Sequence, residues 1–179
     1  MRKGIVNVKQ AMEIYFTKLL KEWKAFNGTL PMTEWMEETE QFIFEGEKDE
    51  EAYIAWKPLK KEVDSNFEDV EKELKVQLHP DIKAYFNSYW FLELAGIYNG
   101  YDLVLNSVVP RIKLQDFKQE TRLYKAAHHH QFVNIPIGIE SNGLLVVVDN
   151  KSGEVKLEDY ERKSFERISG NLSGLIRGL

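Results

Sequence analysis

Cysteine is absent from the 179 residues, so no disulfide staples the chain, which fits a reducing compartment. Long apolar runs are also absent. The longest, Leu144 to Val148, is far too short to span a bilayer. The N-terminus, Met1-Arg-Lys-Gly-Ile-Val-Asn-Val-Lys9, lacks the apolar region of a secretory signal. These absences predict a soluble, cytoplasmic protein without a transmembrane segment. Gly-x-Ser-x-Gly, the phosphate loop and the dinucleotide fingerprint are missing as well, and no internal repeat or low-complexity segment occurs. His79 would need to meet a serine such as Ser88 or Ser107 across the fold to make a nucleophile–base pair, and nothing in the sequence indicates that. The expectation is a protein that is not an enzyme and needs no cofactor or metal.

Acid is in excess, with a net charge of −5. Between Glu34 and Glu51 nine acids (Glu34, Glu37, Glu38, Glu40, Glu45, Glu47, Asp49, Glu50 and Glu51) face one base, Lys48, so this window carries −8 and the remainder +3. Such a face repels a phosphate backbone and argues against nucleic acid. A basic protein surface is drawn to it, chiefly through faster encounter. A solvated loop that keeps the chain in solution accounts for the same charges.

Length and composition predict one domain, residues 1–179, with a sizeable core. Val8, Ala11, Met12, Tyr15, Phe16, Leu19, Leu20, Trp23 and Phe26 recur at three- and four-residue steps, predicting a core-facing helix that ends near Asn27-Gly28. Gln41–Glu45 and Tyr53–Lys57 read as strands around a turn at Gly46–Glu51. Ser65 or Asn66 caps a helix marked by Phe67, Val70, Leu74 and Leu78, and His79-Pro80 opens another carrying Ile82, Tyr85, Phe86 and Tyr89. Trp90–Ala95 and Tyr101–Asn106 read as a hairpin turning at Gly96–Gly100, and one of Trp90 and Phe91 must face inward. Leu114–Ala127 is expected to be helical, with Phe117 and either Leu123 or Tyr124 inward. Strands follow at Phe132–Ile139, Leu144–Val148 and Val155–Asp159, the last two joined by a tight turn at Asp149–Gly153, and Ile168–Leu179 closes as a short helix. The fold class is therefore α+β: an antiparallel sheet of five or six strands with helices on one face or at its ends.

Three adjacent histidines, His128-His129-His130, invite a metal reading, but adjacent residues point apart and no Cys, Asp or Glu lies nearby at zinc-ligand spacing. They are expected to form a surface turn. Gly96-Ile-Tyr-Asn-Gly-Tyr101, beside Glu93 and Asp102, combines rigid aromatics with charge as a protein-binding patch does, although the same rings could fill the core. The candidate partner-binding residues are Glu37, Glu38, Glu40, Glu93, Tyr98, Tyr101 and Asp102.

Four segments, in order, carry a family resemblance: Tyr53-Ile-Ala-Trp-Lys-Pro58, Phe67-Glu-Asp-Val-Glu-Lys-Glu-Leu74, Leu78-His-Pro-Asp-Ile-Lys-Ala-Tyr85 and Asn150-Lys-Ser-Gly-Glu-Val155. With the leading amphipathic helix they resemble the Syd family of SecY-interacting proteins, within the SUKH superfamily. Between Lys113 and Gln131 the chain departs from that pattern: Leu114-Gln-Asp-Phe-Lys-Gln-Glu-Thr-Arg-Leu-Tyr124 replaces the family's Gln-Glu-Asn-Leu-Ile-Gly-His-Leu-like helix. The resemblance implies a compact α+β fold with neither catalytic residues nor cofactor. It further implies peripheral association with the cytoplasmic face of the plasma membrane, where an acidic concave surface would bind basic SecY loops. Many SUKH members resemble immunity proteins that neutralise a partner toxin, often a nuclease, which makes a toxin domain the alternative partner.

Overall fold

The computed structural model describes residues 6–110, 112, 114–129 and 133–179. Helix α1, Val8–Asn27, opens on a reciprocal cap: Asn7 accepts from the Gln10 N–H at 2.9 Å and Gln10 accepts from the Asn7 N–H at 3.2 Å. Gly28 ends it in the left-handed conformation, φ 72°. Val8, Ala11, Met12, Tyr15 and Phe16 are buried. Phe26, expected in the same stripe, is 85% exposed, because the last turn runs beyond the core.

Strands β1, Met32–Glu34, β2, Phe44–Glu45, and β3, Tyr53–Trp56, form a small antiparallel sheet in the order β1-β3-β2. Of the strand expected at Gln41–Glu45, residues Gln41–Ile43 are a 3-10 turn and only the last two extend. Strand β4, Leu59–Lys60, pairs with β5, Tyr89–Trp90. Helix α2, Glu68–Leu74, is preceded by Asn66, whose side chain accepts from the Glu68 N–H at 2.8 Å. Helix α3, Pro80–Ser88, has proline in its first turn, and His79 Nδ1 accepts from the Asp81 N–H at 3.2 Å. Histidine here is a helix-start residue.

The main sheet is antiparallel, in the order β11-β10-β9-β8-β7-β6. Its strands are β6, Leu94–Tyr98, β7, Tyr101–Leu105, β8, Asn134–Glu140, β9, Leu145–Asp149, β10, Val155–Asp159, and β11, Ser164–Ser169. Helix α4, Gln115–Ala127, lies in sequence between β7 and β8, and α5, Leu172–Gly178, closes the chain. Two expectations are corrected here. The β6–β7 turn is only Asn99-Gly100, both at positive φ, and β6 runs through Gly96 instead of stopping there. Glycine suits this strand position because a Cβ there would sit a tight 3.3 Å from both the Cβ and the carbonyl oxygen of Leu179. Ile168, expected in the closing helix, instead belongs to β11, a strand whose charged sequence carries little apolar alternation. Phe132, expected to open β8, lies outside the described residues.

Helices α1, α3 and α5 pack on one face of the sheet. An aromatic cluster fills the space between: Phe16 lies 5.2 Å from Phe91 and Tyr85 5.7 Å from Phe91, and Phe117, from the first turn of α4, reaches Phe86 at 4.5 Å, centroid to centroid. Phe91 is fully buried and Trp90 half-buried, as a two-sided segment requires. The Lys61 ammonium is buried too; it donates to Ser65 Oγ at 2.8 Å and the Phe86 carbonyl at 3.0 Å, 3.9 Å from the Trp90 ring centroid. The sheet curls far enough that the Tyr101 hydroxyl on β7 donates to Glu166 on β11 at 2.6 Å.

Two of the segments that carry the resemblance meet where α3 begins. The His79 N–H donates to Asn150 Oδ1 and Asn150 Nδ2 to the Gln77 carbonyl, both at 2.8 Å. Gly153 takes φ 76° in the β9–β10 turn, and a Cβ there would lie 2.6 Å from the His79 ring. The turn and the helix start are thus one fitted joint, which explains why their residue types occur together.

Candidate binding sites

The residues singled out from sequence fall into two groups on different sheets. Glu37, Glu38 and Glu40 are exposed between β1 and the 3-10 turn, beside the small sheet. Every acid from Glu34 to Glu51 is exposed except Glu45, which is half-buried and paired with Lys57. Lys48, the one base in the stretch, lies 4.2 Å from the Trp35 ring centroid. Tyr98, Tyr101 and Asp102 belong to the β6–β7 hairpin, and Glu93 immediately precedes β6. Tyr98 and Tyr101 are direct cross-strand partners and both are half-buried, whereas Glu93 and Asp102 are exposed. Tyr98 packs on α5 so closely that a Cβ on Gly178 would lie 2.5 Å from its ring. Donation to Glu166, with burial behind it, raises the Tyr101 pKa. Tyr98 therefore ties the sheet to α5 and Tyr101 ties β7 to β11, and each stays partly exposed.

The outer face of the main sheet, opposite the three packed helices, carries a site that sequence reasoning missed. Strand register lines up Ala95, Val104, Ile139, Leu145, Glu158 and Phe165 across all six strands. Val104, Ile139 and Phe165 are each about half exposed, at 48%, 46% and 49%. Helix α4 crosses this face at β8. Of the two residues expected to turn inward, Tyr124 is buried and Leu123 is 64% exposed. Two adjoining cavities open beneath α4. One, of about 590 Å³, is lined by Leu123, Pro136, Ile139 and Leu145. The other, of about 710 Å³, is lined by Asn134, Lys156, Glu158, Tyr160, Lys163 and Phe165; Tyr124 and His128 border both.

Polar groups hold the roof of this cleft to its floor. Glu158 is 3% exposed. Its Oε2 accepts the Tyr124 hydroxyl at 2.6 Å, and its Oε1 meets His128 Nε2. Burial first, then this donation to Glu158, raises the Tyr124 pKa, with Asn134 opposing in part. His128 Nδ1 lies 2.8 Å from the Tyr124 carbonyl, which can only accept, so Nδ1 carries a proton. The His128 ring stacks on Tyr124 with centroids 3.9 Å apart and meets the edge of Tyr160 at 5.4 Å. The expected surface turn is corrected at this residue: buried Glu158 draws His128 inward. His129 is exposed, His130 lies outside the described residues, and no cluster of three metal-ligating side chains occurs among the described residues. The missed signal was Glu158, an acid at an alternating position of a strand, whose partner lies 34 residues away.

A curled six-stranded antiparallel sheet, backed by three helices on one side and crossed by one on the other, defines an α+β fold. Among the described residues no helix is long and apolar enough to cross a membrane. Comparison with known proteins places the domain. The family described as "Syd protein (SUKH-2)" matches residues 9–179, and the chain belongs to this family. It is 29% identical over 160 residues to Protein Syd of Idiomarina loihiensis, covering 84% of each chain. It is also 28% identical over 134 residues to Protein Syd of Hahella chejuensis, covering 73% of this chain and 70% of that one. With Protein Syd of Aliivibrio fischeri (strain MJ11) identity is 21%, over 97% of this chain and 96% of the relative.

Proposed function

We propose that this chain is a non-enzymatic protein-binding module that docks on the cytoplasmic side of the SecY translocon through an acidic surface, and regulates or checks it. Membership of the Syd family supports the reading at the level of class. The observation that carries it is the exposed acidic stretch at the small sheet, where eight of nine carboxylates face solvent. Their fields add, which accelerates encounter with basic loops and fades with added salt. The half-buried pair Tyr98 and Tyr101, flanked by Glu93 and Asp102, offers a second contact area of the aromatic-plus-acid kind. On this reading the protein is cytoplasmic and only peripherally associated with the membrane.

Reversing Glu37, Glu38 and Glu40 to lysine is expected to slow association with detergent-solubilised SecY at least several-fold and to flatten its salt dependence, with far-UV circular dichroism unchanged. Unchanged association kinetics would remove the acidic stretch from the contact face. Capture from host lysate and solubilised membranes separates the partners. SecY recovered at low salt and lost at high salt supports the translocon reading, and a toxin domain recovered in its place overturns it in favour of immunity.

A further inference from the structure

The cleft beneath α4 contains a polar atom that the fold does not satisfy. Asn134 is 7% exposed, and its Oδ1 is buried with no hydrogen-bond partner. Buried acceptors left unpaired are rare because each forfeits its hydration without return. The side chain lines the cavity of about 710 Å³ together with Glu158, Tyr160 and Phe165. Both Asn134 and Glu158 neighbour the Tyr124 hydroxyl, Glu158 as its acceptor and the Asn134 amide as a donor to it, so both side chains belong to one polar cluster at the cavity. Each Glu158 oxygen has one partner and can accept another. The walls are aromatic, with Tyr160 and Phe165 about half exposed.

We propose that this cleft receives the guanidinium group of a partner's arginine, with Asn134 Oδ1 and the Glu158 carboxylate accepting its N–H groups and Tyr160 and Phe165 flanking its plane. The inference rests on the reading of the chain as a binder of basic protein segments, and it names the side chain that anchors them. Acceptors in the lining favour a donor-rich group over an anion. The two lysines at the cleft do not reverse this: Lys156 is held by Asp149 at 2.8 Å, and Lys163 shares the rim with Glu161. Arginine fits better than lysine because a planar fork of donors reaches two acceptors at once and stacks on aromatic faces. The adjoining apolar cavity lined by Leu123, Ile139 and Leu145 would take a neighbouring side chain of the same segment.

The test is a titration of the isotope-labelled protein with the capped tripeptides Gly-Arg-Gly, Gly-Lys-Gly and Gly-Gln-Gly, followed by NMR. The arginine peptide is expected to shift the Asn134 side-chain amide and the signals of Tyr160 and Phe165, binding several-fold more tightly than the lysine peptide. Asn134→Leu is expected to weaken it about tenfold, the worth of one charge-assisted hydrogen bond. Phe165→Ser, at a half-exposed position, tests the wall should Asn134→Leu not fold. Equal shifts from the arginine and glutamine peptides, shifts confined to other surfaces, or full affinity in these variants would overturn the proposal. SecY binding that survives both variants unchanged sinks the anchor and leaves the translocon reading standing. Specific arginine binding without any SecY binding does the reverse.

Discussion

Tyr124→Phe is the sharpest probe of how α4 is held, because it deletes one oxygen and leaves the ring. In the native protein that hydroxyl donates to the buried Glu158 carboxylate at 2.6 Å. A hydrogen bond to a charged group contributes about 1.5–3 kcal/mol. Glu158 keeps its His128 contact in the variant, so the loss should fall within that range and short of an uncompensated buried charge. For a chain of this length each kcal/mol shifts the melting temperature by about 2–4 °C, giving a fall of roughly 3–12 °C. A second signature lies at high pH. Burial and the bond to Glu158 raise the folded Tyr124 pKa above its ordinary value of 10.0. The associated stability is therefore complete below pH 10 and is lost as pH rises toward the folded pKa. In that window the native protein should lose stability more steeply than the variant, by up to about 1.4 kcal/mol per pH unit. Urea denaturation at pH 7, 10 and 11, followed by circular dichroism, measures both. A variant within about 0.5 kcal/mol of the native protein at pH 7, with the same alkaline slope, would refute the clamp.

Three further outcomes are expected. Asp149→Asn should cost about 1–3 kcal/mol at pH 7, because burial alone would raise this carboxyl but Lys156 and the Ser152 and Lys151 N–H groups outweigh it and hold the pKa below 3.8. That contribution is present above the ordinary carboxylate value and vanishes as pH falls through the lowered one, so acid denaturation curves of the two proteins should converge; a constant gap down to pH 1 would contradict it. Gly138→Ala should destabilise by about 1–3 kcal/mol, since the new Cβ would lie 2.4 Å from the Val104 carbonyl and 2.9 Å from Leu105 Cα, both backbone; an unchanged melting temperature would show that β7 and β8 are not so close. Gly153→Ala should loosen the joint between α3 and the β9–β10 turn, where positive φ and the His79 ring both forbid a Cβ, and faster amide exchange at Asn150 and His79 would report it.

Periodicity made α1 and its end at Asn27-Gly28 readable, because the apolar stripe and the glycine are local, although Phe26 in the last turn is exposed and the Asn7–Gln10 cap emerged only in the structure. The same holds for Pro80 at the start of α3 and for the tight β9–β10 hairpin, and the ordered local motifs were enough to indicate the family. Four short or polar elements escaped: β1, β4 and β11 lack an alternating pattern, and β6 was cut short at Gly96. Gly96 looked like a turn from its neighbours alone, whereas the docking of Leu179 from the far end of the chain explains it.

The acidic stretch was legible as charge because net charge is a sum over residues and needs no coordinates. The cleft was not. Its residues come from α4, β8, β10, the turn after β10 and β11, and nothing in Asn134, Glu158 or His128 separately distinguishes a ligand-facing group from a solvated one. Sequence determined which stretches could bury an apolar face, where helices start and stop, and which family the chain resembles. Only the tertiary structure decided that α4 crosses the outer face of the sheet, turning His128 inward and leaving Asn134 Oδ1 unpaired. Hydrogen bonding and burial at these positions depend on partners tens of residues away, which local spacing does not encode.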